Sequence, residues 1–206
     1  MGSIKDFTIM ISDLINRYPS LASIKNEIEK AKELMISTYT NSGKILVCGN
    51  GGSAADSEHI VGELMKGFLL KRKVTNPLIP KETADKLQGA LPAISLVSQS
   101  AILSAYANDV DPDMVYAQLT YGYAKKEDLL ICLSTSGNSK NCVNAAMVAK
   151  SMGAKVLSFT GQKMSLLSDI SDVTIQVPET ETFKVQELHL PVYHYLCAAV
   201  EKHFFE

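Results

Sequence analysis

The sequence predicts an α/β fold, a parallel sheet with helices on both faces, from two observations. Apolar runs of about five residues, of strand length and composition, alternate with segments of helical periodicity along most of the chain. Two of these runs, KILVCGNGGS and DLLICLSTSGNS, also repeat one plan: an apolar strand, a Gly/Ser/Asn loop, then a helix. Crossovers between parallel strands are right-handed. Ligands of open parallel sheets bind at the carboxyl ends of strands where the strand order reverses, so the two loops are expected to flank one crevice together.

The elements follow in order. Ile4, Phe7, Ile11, Leu14 and Ile15 mark a first helix to about Asn16, broken by Pro19. Ser20 is the expected N-cap of a second helix that runs to about Thr40, with Asn41 and Gly43 as its stop. Lys44 to Cys48 is the first strand. The turn Gly49-Asn50-Gly51-Gly52-Ser53 follows, then a helix from Ala54 carrying Asp56, His59 and Glu63. Residues 69–91 hold the basic run Lys71-Arg72-Lys73, Pro77, Pro80 and a short helix-like patch from Glu82 to Gln88. They read as a surface excursion with the basic run in solvent. Ala93 to Val97 is the second strand, Ser100 to Tyr106 a short helix followed by Asn108-Asp109, and Met114 to Lys125 another helix. Leu129 to Leu133 is the third strand, Ser134 to Ser139 a polar loop, and Asn141 to Met152 a helix ended by Gly153. Val156 to Thr160 and Val173 to Val177 complete the strands. Phe183 to Phe204 has helical spacing, and Pro191 should kink it or mark a boundary.

The 206 residues suit one domain with a sizeable core. Hydrophobic residues at 46% and charged residues at 20% are ordinary for a globular protein, and a net charge of −2 directs the reading away from nucleic acid and membrane surfaces. No apolar run approaches a bilayer span. MGSIKDF has no apolar signal segment, and Asp6 stands where a myristoylation site wants Ser or Thr. Cys48, Cys132, Cys142 and Cys197 show no paired spacing. They read as reduced, mostly buried thiols of a cytoplasmic protein, neither a zinc cage nor a disulfide set.

Chemistry concentrates in three places. The first glycine turn sits at a helix N-terminus, where free backbone N–H groups and the helix dipole favour an anion. Asp56, His59 and Glu63, spaced by three and four residues, share one side of that helix and could bind a metal or move a proton; a solvated His–Glu pair is the plain alternative. Ser134, Thr135, Ser136 and Ser139 surround Gly137. A helix cap accounts for one of them, whereas a phosphate cradle uses them all. In the last helix Gln186, Glu187, His189 and His194 are candidates, and spacing alone does not choose between the two histidines. The glycine turn also matches the loose dinucleotide pattern G-x-G-x-x-A. That site wants an acidic residue about 20 residues on at the end of a strand, and Leu69 to Lys73 is basic with no clear strand after it.

GNGGSAADSEHIVGELMKGF, the Ala107-Asn108-Asp109 triplet, LSTSGNS and VQELHLPVYH together resemble the phosphoheptose isomerases of the sugar isomerase (SIS) family, from about Gly43 to the C-terminus. The resemblance implies a flavodoxin-like three-layer αβα sandwich with a five-stranded parallel sheet over residues 43–206. It implies a homotetramer assembled with the help of N-terminal helices in residues 1–42, and active sites between subunits. The implied reaction is the aldose–ketose isomerisation of sedoheptulose 7-phosphate to D-glycero-D-manno-heptose 7-phosphate through an enediolate, toward activated heptoses. By motif, Ser134, Thr135, Ser136 and Ser139 would hold the phosphate, and Asn50, Gly51, Gly52, Ser53, Asn108, Asp109 and Gln186 would contact substrate. His59, Glu63, Gln186 and His194 would hold one zinc ion, weakly, with Glu63 and His194 as the acid/base pair; the resemblance thus selects His194. Three departures leave the phosphate residues intact: Ala54-Ala55 where the family commonly has His-Cys, a longer 69–91 excursion, and Phe183-Lys184 where Asp-Arg is common. A non-catalytic SIS module that binds a sugar phosphate or a replication-initiator partner is the alternative; it has no need of Glu63 and His194 together.

Overall fold

The computed structural model describes residues 11–206. Its sheet has five strands: β1 Ile45–Gly49, β2 Ala93–Ser95, β3 Leu129–Leu133, β4 Lys155–Thr160 and β5 Val173–Gln176. All pairs are parallel, in the order β2-β1-β3-β4-β5. This is the flavodoxin-like order, and its reversal lies between β1 and β3. The strands are short and nearly all apolar because both faces are covered. Alternate residues point to opposite sides. Ile45, Val47, Leu129, Ile131, Leu133, Leu157 and Phe159 pack on one face, and Leu46, Cys48, Leu130, Cys132 and Val156 on the other.

The first face is covered by α1 Ile11–Arg17, α2 Lys25–Thr40, α3 Gly52–Met65 and, beyond the short α4 Lys81–Ala84, the long C-terminal helix. The second is covered by α5 Ser100–Asp109, α6 Val115–Tyr123, α7 Lys140–Ser151 and α8 Leu166–Ile170. The C-terminal helix, α9, spans Thr182–Phe205. Leu14, Leu21, Ile28, Ala31 and Met35 of the N-terminal segment are buried in this chain's own core. Ile4 and Phe7 of the expected first helix lie outside the described residues. No helix among the described residues is long and apolar enough to cross a membrane.

Several local expectations are corrected. Ser20 does not cap α2. Pro19 opens a 3-10 helix, Pro19–Ile24, and α2 starts only at Lys25 without a side-chain cap. The fixed φ of proline suits a helical first turn, so the chain begins to coil before Ser20 can serve as a cap. Pro191 is no boundary: α9 runs through it, with Pro191, Val192 and Tyr193 all buried. Packing along both flanks outweighs the one backbone bond that proline cannot make. Helix α8, capped reciprocally by Ser165 and Ser168, is too short to show a helical period in sequence.

The basic run is also corrected. Lys71 and Lys73 are exposed, but Arg72 is 2% exposed. Its guanidinium donates to Glu201 Oε1 (2.8 Å), Leu64 O (2.5 Å) and Glu63 O (2.9 Å) and lies over the Phe205 ring. The Glu201 carboxylate in turn accepts from the backbone N–H groups of Phe68 (2.7 Å), Leu69 (2.7 Å) and Leu70 (3.2 Å). A buried Arg is tolerable because a buried carboxylate faces it and its remaining donors find carbonyls. The pair ties the C-terminal end of α3 to α9.

Candidate active site

Two strand ends build the cleft. After β1 the chain turns through Gly51, whose φ of 58° falls in the left-handed region that glycine alone enters at little cost. Tyr116 fixes the approach by donating to Gly49 O at 2.7 Å. Asn50 exchanges amide hydrogen bonds of 2.9 Å with Asn141 at the start of α7 and so spans the gap between the two loops. After β3, Gly137 turns with φ 68°, and a Cβ there would overlap Ser165. Asn50, Gly51, Gly52 and Ser53 from the first loop face Ser134, Thr135 and Ser139 from the second across a cavity of ≈ 370 Å³. Gln186 and Thr182 of α9 close its side.

Neither helix that starts here is capped by its N-cap side chain, although Ser53 N and Ala54 N of α3 donate back to Asn50 O and Gly51 O and Cys142 N of α7 donates to Asn141 Oδ1. Gly51 has no side chain to cap α3. Ser139, at the start of α7, makes no side-chain cap bond but shares a 2.9 Å bond with Ser134 Oγ. The remaining first-turn N–H groups of the two helices stand beside hydroxyls, and no Lys or Arg lines the cavity. Such a cradle suits a phosphate group. Ser136 is exposed, with its Oγ accepting from Asn138 N (3.2 Å), and does not line the cavity. Asn108 and Asp109 lie at the exposed end of α5, bonded to each other at 2.8 Å and away from the lining. A Cβ on Gly52 would come within 2.8 Å of Gln186 Nε2, so the Gln186 amide lies directly over the turn.

Two to three turns further along α3, His59 and Glu63 meet His194 of α9 within a single chain. His59 Nε2 lies 3.3 Å from His194 Nε2 and 3.3 Å from Glu63 Oε1. Burial, and then His59, holds His194 below the ordinary histidine value, so it is neutral near pH 7 and can accept a proton. Phe68 flanks its ring at 5.6 Å. The other histidine is elsewhere: His189 is fully buried with Nε2 3.2 Å from Thr160 O, and burial pushes it down to about 4.

The sequence reading missed Thr182 in the cleft and Tyr193 beneath it. Tyr193, 1% exposed, donates to Asp56 Oδ1 (3.0 Å), and its oxygen is also 3.1 Å from His59 Nδ1. Burial, and next to it Asp56, pushes the phenol well above its ordinary value. An aromatic in an apolar helix stripe reads as core, and nothing in the sequence marks it otherwise.

The donor types suit zinc. Ligands about 2.0–2.1 Å from a tetrahedral zinc stand roughly 3.3–3.4 Å apart, and the two 3.3 Å separations around His59 Nε2 match such edges. The cage is not closed: among the described residues no group of three or more His, Cys, Asp or Glu side chains is arranged to hold a metal.

Residues 11–161 match the SIS domain family. A phosphoheptose isomerase from Helicobacter pylori is 38% identical over 204 residues, covering 95% of this chain and 98% of its own. The structure of a phosphoheptose isomerase from Neisseria gonorrhoeae superposes with TM-score 0.76 at 28% identity, covering 93% of this chain and 94% of that one. One from Francisella tularensis gives 0.75 at 26% identity, covering 98% and 100%. With a matching family model, relatives matched over nearly their whole length and solved structures that superpose over nearly all of the chain, this chain belongs to the phosphoheptose isomerases of the SIS domain family.

Proposed function

We propose that this protein is a sugar-phosphate aldose–ketose isomerase that converts sedoheptulose 7-phosphate to D-glycero-D-manno-heptose 7-phosphate, for nucleotide-activated heptose biosynthesis. The observation that carries it is the meeting of Glu63, His59 and His194 about two helical turns from a hydroxyl-lined cradle. A binding module has no need of that trio.

The residues divide the work. Ser134, Thr135 and Ser139, with the N-terminus of α7, hold the phosphate. Ser136 closes on it from the exposed lip. Asn50, Gly51, Gly52, Ser53 and Gln186 line the path of the sugar chain. Asn108 and Asp109 are assigned to substrate by motif, and they would reach it in a neighbouring subunit's cleft. The isomerisation moves a proton between adjacent carbons through an enediolate. Glu63 takes the carbon-bound proton, and neutral His194 exchanges protons with the sugar oxygens. Zinc would be held by His59, Glu63, Gln186 and His194, and when bound it supplies positive charge to the carbonyl end of the substrate. Because Glu63 also serves as base, its hold on a bound metal would be loose.

A homotetramer with sites between subunits and a cytoplasmic location complete the proposal. The family resemblance supports the first, and four buried free thiols suit the second. The test is turnover of sedoheptulose 7-phosphate with and without zinc. Glu63→Gln and His194→Ala should each lower kcat by about a hundredfold or more with little change in KM. Intact binding of the sugar phosphate with no turnover by the unmodified protein would refute the isomerase and leave a binding module.

A further inference from the structure

We infer that Tyr193 is a positioning residue: its hydroxyl, anchored on Asp56, holds the His59 ring in the tautomer that carries its proton on Nδ1. The inference rests on the reading of His59 as a metal-facing residue and adds how this chain prepares it.

Tyr193 has one O–H. That proton goes to Asp56 Oδ1, 3.0 Å away, because an ionised carboxylate only accepts. The phenol oxygen is then left as an acceptor, and His59 Nδ1 stands 3.1 Å from it. The bond forms only if Nδ1 carries hydrogen, so Nε2 is bare. Bare Nε2 has nothing to donate to Glu63 Oε1 at 3.3 Å: two acceptors face each other. His194 Nε2 lies 3.3 Å from the same nitrogen. The bare nitrogen can accept from His194, but its contact with the carboxylate is favourable only around a cation.

The anchor is buried where the histidine is not. Tyr193 is 1% exposed, whereas the His59 side chain is 41% exposed. Its ring meets both histidine rings edge-on, at 5.5 Å to His59 and 5.0 Å to His194. The carboxylate–phenol–imidazole chain therefore orients a ring that solvent would otherwise leave free. A ligand histidine almost always donates its other ring N–H to an oxygen acceptor, a part the phenol oxygen takes here, and losing such a partner lowers affinity by about 10–100-fold.

Tyr193→Phe removes one oxygen and keeps the ring, and the experiment has two arms. Nitrogen chemical shifts of 15N-histidine-labelled protein, without metal and above pH 7, should show His59 as the Nδ1–H tautomer in the parent. The variant should lose that preference. An Nε2–H tautomer in the parent, or the same tautomer in both proteins, overturns the inference. Zinc affinity measured by chelator competition should fall ten- to a hundredfold in the variant, and equal affinity overturns it too. If the parent binds no zinc, the metal reading fails, while the tautomer comparison still decides the role of Tyr193. Should Tyr193→Phe fold poorly by circular dichroism, Asp56→Asn is the substitute. It withdraws the anchor's charge, and the tautomer preference should weaken in the same direction.

Discussion

Replacing Arg72 by Met tests the reading of the excursion most directly. In the folded chain the guanidinium and the Glu201 carboxylate are both fully buried, 2.8 Å apart. Methionine fills much of the volume but leaves the carboxylate without its counter-charge and strips a donor from Glu63 O and from Leu64 O. Removing one partner of a buried ion pair costs about 3–5 kcal/mol, because an uncompensated charge stays in the interior. Against a typical total of about 5–15 kcal/mol this is a large loss. It corresponds to a drop in Tm of roughly 6–20 °C for a domain of this size. Denaturation by urea at fixed protein concentration, with m monitored, measures it. The double variant Arg72→Met/Glu201→Leu removes both charges and should be more stable than the sum of the two single losses implies. A single-variant loss below about 1 kcal/mol, or strictly additive losses in the double variant, would refute the claim that the two charges depend on each other.

Further outcomes follow from other sites. The folded state keeps His189 at about 4, below the unfolded value near 6.5, so the unfolded chain binds the extra proton between those values. Stability is therefore full above about pH 6.5 and falls by roughly 3 kcal/mol as pH drops toward 4. A His189→Leu variant should lack that share of the slope, measured as the difference in urea unfolding between the two proteins across this range. Gly137→Ala puts a side chain at φ 68° and into Ser165. It should cost about 1–3 kcal/mol and weaken phosphate binding at least tenfold by calorimetry, and unchanged affinity would count against the cradle. The free cysteines, all buried, should leave folded protein nearly inert to an aromatic disulfide reagent and react fully in denaturant. Burial pushes the thiol of Cys197 up to about 12, and the thiols of Cys48 and Cys132 are also raised.

What was legible in the sequence is what neighbours in the chain determine. Strands of five apolar residues, the glycine turns after β1 and β3 and the one-sided spacing of Asp56, His59 and Glu63 are local patterns, and the sheet took the expected parallel form. Their physics acts over a few residues: backbone sterics, helix period and burial on both faces of a strand. What depended on tertiary structure concerns partners far apart in sequence. Lys71-Arg72-Lys73 reads as a solvated run because Glu201, 129 positions later, is invisible from it. His189 and His194 share a helix and a residue type, and only the position of β4 and α3 around α9 buries one against Thr160 and turns the other toward His59. Tyr193 looks like core until Asp56 of α3 meets its hydroxyl. Burial and hydrogen-bond partnership are properties of the assembled chain, so the order of the elements was written in the local sequence, and the surroundings of each polar side chain were decided by their packing.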